Sequence, residues 1–82
     1  MPRFFLHIKD GTYLIRDEEG VELPSAAHAR AEALASARDL CADAIRAGKD
    51  ITADAYVIAD ENGSHLTFMP FAEALPRRLR RE

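Results

Sequence analysis

Three histidines, one cysteine, five clustered carboxylates and a terminal run of arginines are the residues in this 82-residue chain that could do chemistry. His7 and His65 fall in stretches that read as β-strands and could meet across a sheet. Two imidazoles make a poor zinc site, which usually takes at least three protein ligands. His28 falls on the solvent side of a helix's first turn. Cys41 sits on the apolar side of that helix, where a thiol packs as a small hydrophobe and its pKa rises, the opposite of what a nucleophile needs. Asp17, Glu18, Glu19, Asp60 and Glu61 gather at two turns. Paired carboxylates suit acid–base work or a divalent cation, but an aspartate that opens a turn is already occupied by backbone N–H groups. EF-hand spacing, a glycine-rich phosphate loop and a serine nucleophile elbow are all missing. The expectation is a non-enzyme with no catalytic residue, no metal and no cofactor.

The arginine run is the clearest binding candidate. Residues 1–76 carry 7 basic and 13 acidic side chains, whereas 77–82, "RRLRRE", carry four arginines and one glutamate. The body repels polyanions and the tail attracts them. Arg77, Arg78, Arg80 and Arg81 can contact phosphates or an acidic protein, which gives weak, salt-sensitive, sequence-blind nucleic-acid binding.

These residues need elements to position them. Phe4, Leu6 and Ile8 alternate with Phe5, His7 and Lys9, the period of a strand. Asp10-Gly11 marks a tight turn, with "TYLIRD" as the return strand. "YLIRDEEGVEL" (13–23) and "YVIADENGSHL" (56–66) match at six of eleven positions. In each an aspartate opens the turn and a glycine closes it, so each reads as a β-hairpin, either by convergence on turn chemistry or by duplication. Ser25 is a helix N-cap and Gly48 a left-handed C-cap, which bounds a helix from Ala26 to Ala47. Its apolar positions are Ala26, Ala27, Ala33, Leu34, Ala37, Leu40, Cys41, Ala44 and Ile45, mostly small, so the helix can lie close to a sheet. Phe4, Leu6, Ile8, Ile15, Ile58, Leu66 and Phe68 are expected to supply the core volume. A shorter helix starts near Pro70.

The expected fold is α+β and two-layered. An antiparallel sheet of four to five short strands packs on one long helix, in the order β-β-α-β-β with a short C-terminal helix. Residues 1–76 form the single domain and 77–82 a basic tail. Hydrophobic residues make up 48% and charged residues 30%, a globular rather than disordered composition. No apolar run approaches the roughly 20 residues of a membrane helix. The opening residues lack a secretory signal, and a single cysteine allows no internal disulfide, so the cytoplasm is expected.

"MPRFFLHIKDG", "DEEGVELPSAAHARAEAL" and "DENGSHLTFMPFAEAL" together resemble a family of small bacterial proteins defined as a domain of unknown function. The matching residues are Asp10-Gly11, Asp17, Glu19-Gly20, Glu22-Leu23-Pro24, Ala29 to Ala33, Asp60 and Gly63. The resemblance covers about residues 1–75 and implies a fold but no activity. A looser similarity is to HicB-type antitoxins, a scaffold that binds a toxin and dimerises. Their Pro-Gly element between hairpin and helix is missing here, as is a DNA-binding segment.

One helix covers one sheet face. Phe5, His7, Tyr13, Val57 and Met69 are then expected on the other face, where large apolar groups call for a partner. The expected role is a non-enzymatic interaction module, homodimeric through the bare face or an edge strand. The alternative is a nucleic-acid-associated or antitoxin-like regulator that uses the arginine tail.

Overall fold

A computed structural model describes residues 1–80. Five antiparallel strands and one long helix form two layers. β1 (Arg3–Asp10) is central, joined to β2 (Tyr13–Ile15) by the two-residue loop Gly11-Thr12. Gly11 has φ 60°, the positive value that the first loop position of a type II′ hairpin requires. β3 (Val21–Glu22) also pairs with β1. After helix α1 (Ala26–Ala47), β4 (Ala55–Ala59) takes the other side of β1, and β5 (His65–Pro70) forms the far edge. Two 3-10 turns, Phe71–Ala74 and Arg77–Leu79, stand where a short C-terminal α-helix is expected. No helix among the described residues is long and apolar enough to cross a membrane.

The two similar segments diverge. The second is a hairpin: β4 and β5 pair around the 60–64 turn. The first is not, because Tyr13–Ile15 and Val21–Glu22 pair with opposite ends of β1 and never with each other. They are two halves of one edge strand, interrupted by residues 16–20. The local chemistry is nonetheless shared. Asp17 Oδ1 accepts the N–H groups of Glu19 and Gly20, and Asp60 Oδ1 accepts those of Asn62 and Ser64. Pairing differs because Asp17 turns its second oxygen to the Leu6 N–H of β1, 3.1 Å away, which ties the segment to the strand instead of reversing it.

Gly20 is the backbone position with no freedom. Its φ is 72°, and an added Cβ would lie 2.8 Å from Phe5 Cε2 and 2.9 Å from the Phe4 carbonyl. Gly20→Ala is therefore expected to cost about 2–3 kcal/mol in chemical denaturation, from left-handed strain plus the clash. Gly63→Ala, with φ 83° but open space around it, is expected to cost about 1 kcal/mol.

The helix is capped as its sequence dictates. The Ser25 hydroxyl accepts the His28 N–H, and Gly48 at φ 67° returns its N–H to the last turn. The buried stripe is Ala29, Ala33, Ala37 and Cys41. Ala27, Leu40 and Ile45 face outward instead, because each four-residue step advances about 40° around the helix, so the buried stripe drifts and leaves these positions off the sheet. Phe4, Tyr56, Ile58, Met69 and Phe71 fill the space above it, with Leu6, Ile8 and Leu23 at the margin. Tyr56 stacks on Phe71 at 5.2 Å and shares a 2.7 Å hydrogen bond with Ser36 of the helix. Arg30 forks onto both carboxylate oxygens of Glu73, which pins the first 3-10 turn to α1.

Candidate functional site

The register places the uncovered face residue by residue. His7, Val57 and Phe68 lie opposite one another across β1, β4 and β5. Phe5 and Ala59 flank them on one side, and Lys9, Ala55, Pro70 and Leu14 on the other. His7 and Val57 are buried by their neighbours although no helix covers them. Phe68 is 62% exposed and Leu66 44% exposed. Both line an open groove of about 830 Å³ that also takes in Val57, His65 and Pro70, with the loosely paired Lys9 and Asp54 at its end.

Two residues expected on this face are not there. Met69 is fully buried against α1, opposite Tyr56. Tyr13 pairs with Asp10, so it points to the helix side at the sheet margin, 77% exposed. Conversely Leu66 and Phe68 face outward, not into the core, and Ile15, opposite Ile8, is exposed beyond the reach of the helix. The cause is a bulge at Ile58/Ala59, which shifts the parity of β5. Phe71 turns inward to stack on Tyr56, and alternation then carries Met69 inward and Phe68 outward.

His7 is held by the 16–20 segment. Its Nδ1 accepts the Asp17 N–H at 3.0 Å, which fixes the neutral ring's proton on Nε2. The ring stacks against Phe5 and tilts toward His65, each 6.3 Å away between centroids. Burial lowers the His7 pKa from its ordinary 6.5, with Arg16 and His65 adding to the effect and Asp17 opposing it. Burial would raise the Asp17 carboxyl, but the N–H groups of Leu6, Gly20 and Glu19, together with the imidazole, hold it below its usual range.

The histidine pair meets across the sheet as expected, in a geometry unsuited to a metal. Coordination at Nε2 would move the proton to Nδ1, where the Asp17 N–H already points. The acidic turns are likewise engaged, and they converge on Arg3. Its N–H donates to Glu61, and its guanidinium bonds the Glu19 carbonyl and Glu22. Cys41 is buried, and burial pushes its thiol pKa up. Of the tail, Arg77 and Arg78 are exposed, while Arg80 folds back onto the carbonyls of Leu75 and Glu73. Arg81 lies outside the described residues.

A family model described as a domain of unknown function, DUF6894, matches residues 3–72. The chain belongs to the DUF6894 family. The match spans every strand, the helix and the whole open face, and it ends before the arginine tail. No curated protein and no solved structure matches the chain significantly.

Sequence reasoning missed Leu14, Leu66 and Phe68 as open-face residues and Arg3 as the organiser of the acidic turns. A parity signal for β5 was present in "TFMPF", where Phe71 and Met69 share one side and Phe68 the other.

Proposed function

We propose that this DUF6894 domain is a cytoplasmic, non-enzymatic interaction module that pairs with a second copy of itself through the open sheet face. The observation that carries this reading is the exposed set Leu14, Leu66 and Phe68 on a sheet whose other side is already packed. Aromatic and aliphatic groups gathered on one face are what protein interfaces bury. Four strands at roughly 4.8 Å spacing and about six residues at roughly 3.3 Å rise give a footprint of roughly 400 Å². A pleated surface has more accessible area than its footprint, so full burial approaches the roughly 600 Å² per partner of small specific interfaces. A second copy offers a matching surface by two-fold symmetry, and two such faces stack as sheets about 10 Å apart. The polar groups that could otherwise serve catalysis have structural partners: His7 with the Asp17 N–H, the Asp17 carboxylate with the N–H groups of Leu6, Glu19 and Gly20, Glu73 with Arg30, and Glu22 with Arg3.

Size-exclusion chromatography with light scattering tests the proposal. At high micromolar concentration the expected mass is twice the 9.1 kDa of the chain. A single-chain mass there contradicts it.

A further inference from the structure

The centre of the open face is a titratable group with a specific mechanical duty. His7 sits in the row His7–Val57–Phe68, and its Nδ1 is the acceptor that keeps the Asp17 N–H and the 16–20 segment against β1. We propose that His7 makes the open-face dimer pH-gated: the neutral ring closes the interface, and its protonation opens it. This rests on the self-pairing reading above.

A proton on Nδ1 acts in two ways. It turns the acceptor into a donor facing the Asp17 N–H, so that hydrogen bond is lost and the 16–20 segment loses a tether. It also places a cation at the middle of an apolar face that a second copy must desolvate. Of the groups around the ring, Asp17 offsets part of the charge, and burial together with Arg16 outweighs it. From the 16–20 segment come Arg16, a like charge, and Asp17, whose Oδ1 and Oδ2 are taken by three backbone N–H groups. From β5 comes His65, a second imidazole that brings no negative charge, and Val57 of β4 is uncharged. Lys9 on β1 adds another positive group to the same face, partnered by Asp54 at 3.7 Å.

The sign follows from the direction of the shift. Burial, with Arg16 and His65, lowers the folded pKa of His7 below 6.5. That shift makes the folded chain most stable above the unfolded value of about 6.5 and less so as pH falls through the folded value; a second copy desolvates the ring further, so its pKa falls again on pairing and the dimer weakens over the same fall in pH. Asp17, held below its usual range, stays ionised across that window and does not confuse the result.

The test is sedimentation equilibrium of the full chain between about pH 7.5 and pH 5. The dimer dissociation constant is expected to rise at least tenfold on acidification. His7→Asn places an amide oxygen near the Nδ1 position and cannot charge, so its dimer should be flat with pH. His65→Gln should keep most of the response. A flat wild-type constant overturns the gate while leaving the dimer standing. A His7→Asn response like wild type, or its loss in His65→Gln, also overturns it. A monomer at both pH values removes the self-pairing reading and the gate with it. In the wild type, the Asp17 amide resonance and its hydrogen exchange should titrate with the His7 ring; an Asp17 amide indifferent to that titration contradicts the mechanism independently of any variant.

Discussion

Met69→Ala and Ile58→Ala are each expected to lower the unfolding free energy by about 3 kcal/mol, whereas Phe68→Ala costs under about 0.5 kcal/mol in the dilute monomer. Ile58 and Met69 are the largest fully buried side chains, and both face the alanine stripe of α1. Truncating either leaves a cavity that Ala33 and Ala37, with only a methyl each, cannot collapse to fill. The total stability of an 82-residue domain is about 4–12 kcal/mol, so either change removes a large part of it. Phe68, one residue from Met69, leaves no hole because most of its ring is already in water. Urea unfolding at low protein concentration measures all three variants. A ranking with Phe68 above Met69 would mean that β5 presents its opposite parity to the helix.

Phe68→Asp is expected to act on association alone. It places a carboxylate in the row formed with His7 and Val57, where a second copy must strip it of water. The dimer dissociation constant should rise at least a hundredfold, about 2.8 kcal/mol, while the thermal midpoint of the dilute monomer stays put. Ile45→Asp is the matched control. Ile45 is 68% exposed on the helix side of the molecule, so the same chemical change there should leave association untouched.

The helix was legible because its signals are local. Ser25, Gly48 and a run of alanines act within one or two turns, and the structure returns Ala26–Ala47 as read. β1, the Asp10-Gly11 hairpin and the two-layer architecture were legible for the same reason: two-residue periodicity and turn chemistry need only neighbours. Asp17 shows where such reasoning stops. Its turn resembles that of Asp60, but its free oxygen reaches the Leu6 N–H, a long-range bond that no spacing encodes. That bond decides that "YLIRDEEGVEL" is an interrupted edge strand. The open face suffered from the same cause. A single bulge reversed the sides of Phe68 and Met69, so the face was foreseen and partly mispopulated. Its Phe5, His7 and Val57 were identified, and its most exposed members were placed in the core. His7 was visible as a strand residue beside His65, but its tie to the 16–20 backbone appeared only with the fold.

Amide chemical shifts followed on dilution from millimolar to low micromolar protein test the central claim most directly. Shifts confined to Leu14, Val57, Leu66, Phe68 and their strand neighbours, with α1 silent, are the expected result. A spectrum unchanged on dilution, or changes centred on the outer side of α1, would contradict self-association through the open sheet.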